Sequence, residues 1–172
     1  MPTDPKRGTL AYTLATWIYL LHASGHACAD PALRQACEAL GAGVDLESLG
    51  EALVEQIQGR LKGESAEDAQ VLAAELFGTA TVLSGLGENR EQALRQARRY
   101  QFQKGLPWLA CVVDRFPDGH VGPHWVLVES LEEQVRCLDP YPWDDLDEEF
   151  EQSLIEFLVK WELGGLAGLR YV

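Results

Sequence analysis

The first third of the chain carries apolar residues at the spacing of α-helices. Residues 9–22 are nearly all apolar or small, broken only by Tyr and Thr. A helix that is apolar around its whole circumference belongs in the centre of a domain, so this segment is predicted as the core helix, ending near Gly25. Asp30 and Pro31 predict a second helix over residues 31–40, because Asp favours the N-cap and Pro favours the first helical position.

Further helices are predicted up to the middle of the chain. Asp45 is expected to cap an amphipathic stretch. Its apolar residues recur at helical spacing: Leu46, Leu49, Leu53, Val54 and Ile57. Residues 65–76 are rich in Ala and predict another helix, whereas the β-branched residues within 79–83 predict a short strand. Residues 88–104 predict a helix whose basic side chains form a solvated face that balances neighbouring carboxylates.

Beyond Gly105 the pattern changes to that of β-strands. Residues 108–113 are a short apolar run bounded by turn residues, which predicts a buried strand. Residues 125–128 and 135–138 predict a hairpin, with Glu132 and Glu133 in its turn.

The end of the chain predicts a helix and one more strand. A polar, acidic connector runs from Asp144. It is followed by a predicted helix over residues 150–161 and a predicted edge strand over residues 169–172. The fold class is therefore α+β, with a helical N-terminal half packed on a mostly antiparallel C-terminal sheet.

Composition limits the domain count and the class of partner. The 172 residues are 47% apolar and 24% charged, which is typical of one globular domain spanning residues 1–172. The formal net charge of −13 argues against nucleic acid as a partner, because a phosphate backbone needs a basic surface. The same charge suits either simple solubility or attraction of a basic peptide or protein.

Neither a membrane segment nor a cofactor is expected. No window reaches the roughly 18–20 apolar residues of a membrane span, and the N-terminus lacks the apolar core of a secretory signal. A cytoplasmic location follows as the expectation. The four Cys form no Cys-x-x-Cys pair, so a metal site is not expected and the thiols are expected to be free.

His124 and Asp139 are the candidates for catalytic chemistry. A thiol hydrolase needs a nucleophile, an imidazole that activates it, and an acid or amide that orients the imidazole. His124 is expected at the start of a strand, and Asp139 follows 15 residues later, at the end of the partner strand. A hairpin of that length places both at one end of the sheet, where the carboxylate can accept a hydrogen bond from the ring. Trp125, Tyr141 and Trp143 are expected to line the adjoining cleft.

These residues carry a resemblance to a known family. Gly-Leu-Pro at 105–107, a strand, Pro-His-Trp-Val-Leu-Val at 123–128, a hairpin and Leu-Asp-Pro at 138–140 resemble the bacteriocin-processing leader peptidases and their peptidase-like relatives. The resemblance covers residues 93–143, with a looser similarity at 161–165. It implies a papain-like fold and cleavage of peptides, often after a Gly-Gly pair, by a Cys–His–Asp triad with an oxyanion-hole Gln. His124 would be the general base and Asp139 its orienting partner.

The nucleophile that the resemblance implies is missing from the start of the first helix. Aligned on Thr9, the Cys position holds Leu10, and shifted by one it holds Ala11. Neither side chain can attack a carbonyl, and no Gln precedes them. The chain is therefore expected to be a pseudo-peptidase that binds a peptide or protein partner, possibly basic, in the former cleft. Exporter peptidase-like domains that lack the Cys, and hold substrate without cutting it, offer a precedent.

Two other functions stay open. Cys28 lies just before the helix at Asp30, with His26 two residues away, so it could serve with His124 and Asp139 in a thiol peptidase or an acyl or amide transferase. Alternatively, if Ala11 replaces a Cys, that Cys would serve with His124 and Asp139 in the same kind of enzyme. The second function, of another class, is a small acidic adaptor in which the His–Asp pair is structural. The remaining thiols lie inside predicted strands and helices and are expected to belong to the core: Cys37, Cys111 and Cys137.

Overall fold

The computed structural model describes residues 9–26, 30–40, 46–63, 65–77, 82–84, 89–115, 119, 121–138 and 149–171. The helices in this part of the chain are α1 (Thr9–Ala23), α2 (Pro31–Leu40), α3 (Leu46–Gln58), α4 (Ala66–Phe77), α5 (Arg90–Lys104) and α6 (Leu154–Leu163). The strands are β1 (Val82–Ser84), β2 (Trp108–Arg115), β3 (Val121–Leu131), β4 (Gln134–Leu138), β5 (Glu149–Ser153) and β6 (Gly168–Tyr171). The predicted α+β class is confirmed.

The first helix is the buried core helix that the sequence predicts. Side chains on several sides of α1 are fully enclosed, including Leu10, Leu14, Trp17, Ile18 and Leu21. Gly25 adopts a φ of 91°. Its N–H donates to the carbonyl of His22, and the N–H of His26 donates to that of Leu21. This is the Schellman arrangement, in which a left-handed Gly closes the helix, so the predicted stop at Gly25 is confirmed.

Caps fix the starts of the next helices. Asp30 Oδ1 accepts from the N–H groups of Ala32 and Leu33 at 3.0 and 3.1 Å, as predicted for an N-cap. The backbone N–H of Leu33 and the guanidinium of Arg60 lower the pKa of Asp30, because both stabilise the carboxylate. Asp68 N–H donates to Ser65 Oγ at 3.1 Å, so Ser65 caps α4. The predicted cap at Asp45 lies outside the described residues.

The described strands form one antiparallel sheet in the order β1-β6-β2-β3-β4-β5. The predicted hairpin is confirmed: β3 pairs with β4, and Glu132 and Glu133 lie between them. The predicted edge position of the last strand is wrong, because β6 lies between β1 and β2. The partner of a strand depends on contacts far away in sequence, which local patterns do not encode.

Two predicted boundaries also differ from the structure. The helix predicted over residues 150–161 begins only at Leu154, because β5 pairs with β4 along its whole length. Ser153 Oγ accepts from Glu156 N–H at 3.2 Å and caps α6. His124 does not begin its strand, since β3 starts at Val121.

Helices cover both faces of the sheet. Trp108 of β2 lies on one face, with its ring centroid 5.2 Å from that of Trp161 in α6. Tyr171 lies on the other face, because it is two residues from Leu169, which pairs with Leu109 next to Trp108.

The Tyr171 face is the one that α1 covers. The Tyr171 ring is 5.7 Å from that of Phe77 in α4, and Phe77 is 6.2 Å from Trp17 in α1. Trp17 Nε1 donates to the carbonyl of Pro107 at 2.9 Å. The sheet therefore separates the α1 layer from the α6 layer, and each fully buried large side chain contributes about 1.5–3 kcal/mol to folding.

Candidate functional site

His124 is a buried residue of a central strand. It lies directly opposite Val112 of β2 and is only 2% exposed. Residues opposite each other, and those two apart, share a sheet face, so His124 shares the face of Val112 and Asp114. Asp114 is 3.5 Å from the ammonium of Lys160 in α6. The imidazole thus points to the α6 side of the sheet.

The described pairing of β3 with β4 stops short of His124. The described pairing with β4 ends at Leu127 opposite Leu138, three residues from His124. Asp139 follows Leu138 directly in the sequence, but its placement lies outside the described residues, as do those of Tyr141 and Trp143.

The first turns of α1 reach this edge of β3. Thr13 Oγ1 donates to the carbonyl of Trp125 at 2.9 Å, and both residues are buried. Cys111, opposite Trp125, donates its N–H to Ala167 on its other side. The pair 111/125 is therefore of the type without mutual hydrogen bonds, which turns the Trp125 carbonyl outward. We call this contact the Thr13–Trp125 joint.

The start of α1, next to this joint, carries the two predicted former nucleophile positions. Leu10 and Ala11, the predicted former nucleophile positions, are 0% and 3% exposed. Both carry hydrocarbon side chains packed in the core, with no group that could form an acyl intermediate. Trp125 is likewise part of the core rather than of an open surface.

The imidazole of His124 and the body of α1 also lie on opposite faces of the sheet. The body of α1 covers the Tyr171 face, whereas His124 points to the α6 face. A general base must lie within hydrogen-bond reach, about 2.6–3.2 Å, of the group it activates. The hydroxyl of Thr13 joins α1 to the His124 strand at the backbone carbonyl of Trp125.

The described thiols belong to the core. Cys37, Cys111 and Cys137 are buried thiols outside any disulfide, as predicted. Gln152 Nε2 lies 3.8 Å from the sulfur of Cys137. Cys28 lies outside the described residues. His26, its neighbour in sequence, stacks on Tyr171 with ring centroids 4.7 Å apart.

The described residues also line a cleft away from His124. It has a volume of about 590 Å³ and lies between α5 and the β3–β4 turn, where Phe102, Leu131 and Glu133 are among its lining residues. Across the part of the chain that the structure describes, no group of three or more His, Cys, Asp or Glu side chains is placed to hold a metal ion. None of the described helices is long and apolar enough to cross a bilayer.

Thr13 was not among the residues singled out from the sequence. The available signal was a Thr within an otherwise apolar helix, since a buried hydroxyl needs a hydrogen-bond partner. Its neighbour Thr16 gives the same signal but donates within the helix, to the carbonyl of Tyr12 at 3.0 Å. Sequence alone does not distinguish the two.

Comparison of the chain with protein-family models, with curated proteins and with solved structures gives no match in any of the three. The resemblance to the leader peptidases therefore stays a prediction from the sequence around His124.

Proposed function

We propose that this protein is a papain-like, leader-peptidase-like pseudo-peptidase that binds a peptide or protein partner, without cleaving it, in the cleft marked by His124. The observation that carries the proposal is the Thr13–Trp125 joint. It brings the first turns of the core helix to the strand of His124, and this proximity of helix and strand supports the proposal, although the imidazole faces the α6 side of the sheet. At that start the chain has Leu10 and Ala11 in place of a nucleophile.

Burial supports binding over cleavage. A thiol hydrolase needs a thiolate at a helix start, where the helix dipole lowers the thiol pKa, with the imidazole beside it. The described Cys residues are elsewhere in the core, and His124 is enclosed. Acyl transfer by a thiol enzyme needs a thiolate nucleophile within reach of the imidazole.

Charge supports a peptide ligand with basic residues. The net charge of −13 attracts cationic partners and speeds their encounter. Tyr141 and Trp143 follow Asp139 in the sequence and offer amphipathic side chains for such a peptide. The family resemblance suggests a Gly-Gly pair as the element that enters the cleft.

A binding and cleavage assay tests the proposal. The probe is a fluorescent basic peptide with an internal Gly-Gly pair, and its matched control has Val-Val in that place. We expect the Gly-Gly peptide to bind more tightly by fluorescence anisotropy and to remain intact by mass spectrometry. Tyr141→Ala and Trp143→Ala should each weaken binding several-fold. Equal binding of both peptides, or no effect of either substitution, would refute the cleft as the binding surface.

Thiol labelling separates this function from an active enzyme. Iodoacetamide reacts with thiolates, so an activated Cys labels fast well below pH 8. We expect slow, ordinary labelling of all four thiols, including Cys28. A Cys28 that labels fast at pH 6, and slows on His124→Gln, would instead establish a thiol peptidase or transferase.

A further inference from the structure

The outer face of α6 is apolar where a surface helix is normally polar. Ile155, Val159 and Leu163 are 76%, 48% and 67% exposed. Their spacing of four residues places them along one side of the helix, over about 12 Å of its length. We call these three residues the α6 stripe.

The fold does not need the α6 stripe. The opposite side of α6 already attaches the helix to the sheet through Phe157, Leu158 and Trp161, which are buried. A surface helix of this kind usually carries polar residues on its outer face. A contiguous exposed apolar row marks an interaction surface more often than isolated apolar residues do.

Acidic side chains surround the α6 stripe. Glu156 and Glu162 flank it on the helix, one on each side. The N–H of Leu154 donates to the carbonyl of Glu133 at 3.0 Å, which brings the β3–β4 turn, with Glu132 and Glu133, to the first turn of α6. All four glutamates are exposed.

Most of this negative charge is not neutralised locally. Glu162 forms an ion pair with Arg90 of α5. Within the described residues no ion pair involves Glu132, Glu133 or Glu156. Lys160, the basic residue of α6, is directed to Asp114 at 3.5 Å.

We propose that the α6 stripe binds a basic amphipathic helix of a partner protein. An apolar row at helical spacing fits the apolar side of another helix, and the acidic rim fits Lys or Arg residues beside that side. A second copy of this chain fits poorly, because antiparallel pairing of two α6 helices would bring acidic rims together in molecules that each carry a net charge of −13.

A designed peptide tests the proposal. The probe is a synthetic peptide of about 18 residues with Leu at helical spacing and Lys elsewhere on its surface. One control has the same composition in scrambled order, and another has Glu in place of Lys. We expect the Lys probe to bind at least tenfold more tightly than either control, with an affinity that falls as salt rises, because the rim contributes electrostatically.

Substitutions locate the binding surface. Ile155→Gln with Leu163→Gln removes the two most exposed apolar side chains of the α6 stripe without changing charge and should weaken binding of the Lys probe at least tenfold. Val71→Gln is the matched control, because Val71 is an exposed apolar residue on α4, and it should leave the affinity unchanged. Glu132→Gln with Glu133→Gln should weaken the probe and reduce the salt dependence.

Three results would overturn the proposal. The first is that the scrambled peptide binds as tightly as the Lys probe, and the second is that Val71→Gln loses as much affinity as the α6 variants. The third is a stable dimer, detected by light scattering and disrupted by Leu163→Gln, which would assign the α6 stripe to a second copy of the chain. The outcome is separate from that of the cleft assay, because the two assays use different probes and substitutions at different positions.

Discussion

α1 and α6 are both rich in apolar residues, yet the fold encloses one and exposes a side of the other. α1 contains no Asp, Glu, Lys or Arg, whereas α6 contains Glu156, Lys160 and Glu162. Those three charged residues mark the side of α6 that faces solvent, and the α6 stripe lies among them. The contrast shows that charged positions, more than apolar content, indicate which side of a helix is buried. Exposed apolar residues between charges then stand out as candidates for binding.

The same substitution in the two helices gives the largest expected difference. Leu14→Ala in α1 removes a fully buried side chain and leaves a cavity, which should cost about 2–5 kcal/mol in the free energy of unfolding. Leu163→Ala in α6 removes a mostly exposed side chain and should cost about 0.5 kcal/mol or less. Urea unfolding followed by circular dichroism measures both. Similar losses would mean that the α6 stripe is packed in the folded protein.

The two buried threonines of α1 make a second, smaller comparison. Thr13→Val keeps the shape but removes the buried hydroxyl that donates to the carbonyl of Trp125, which should cost about 1–3 kcal/mol. Thr16→Val removes a bond to Tyr12 within the helix, whose carbonyl keeps its backbone helix bond, so the loss should be smaller. Thr13→Ser, which retains a hydroxyl, should recover part of the stability. If the two Val variants lose equal stability, the joint does not hold α1 to β3.

Tyr100 of α5 extends the comparison to a buried hydroxyl that contacts β6. Its Oη accepts from the N–H of Tyr171 at 3.1 Å, and burial raises the pKa of Tyr100 to about 12. The unfolded chain releases this proton near pH 10, two units earlier. Stability is therefore fully present below pH 10 and is lost between pH 10 and about 12, by an amount on the order of 2 kcal/mol.

Tyr100→Phe tests that pH dependence. The variant should be less stable by about 1 kcal/mol at neutral pH, because Tyr171 loses its acceptor, and should be less sensitive to alkali than the parent. Urea unfolding at several pH values, with absorbance at 295 nm to follow ionisation of tyrosine, separates the two effects. Identical alkaline profiles would exclude Tyr100 as the buried group that titrates.

Local patterns predict the elements that local interactions determine. Residues 9–22 contain no Asp, Glu, Lys or Arg, and they are followed by Gly25, which adopts the left-handed conformation without strain. The helix α1 and its end can therefore be predicted from the sequence. The hairpin of β3 and β4 follows from two apolar runs around an acidic turn. The N-cap role of Asp30 can be predicted from its position directly before Pro31.

Long-range pairing determines what the sequence does not reveal. Phe150 reads as part of a helix, but its strand is formed by pairing with Cys137 across the sheet. The position of β6 between β1 and β2 depends in the same way on partners distant in sequence. The residues next to His124 in the sequence indicate it as a candidate site residue. The sheet face to which it points depends on the pairing register with Val112.

The smallest expected effect concerns the start of α2. Asp30→Ala removes the acceptor for two N–H groups and the partner of Arg60, and should cost about 1 kcal/mol. Asp30→Asn keeps the cap but not the charge, so it should lose less. Because the pKa of Asp30 is lowered in the folded state, its contribution is present above the unfolded pKa and is lost as pH falls through the folded value. Urea unfolding at pH 7 and pH 3 measures this: the parent and Asp30→Asn should converge at the lower pH, and a constant difference would contradict a charge effect.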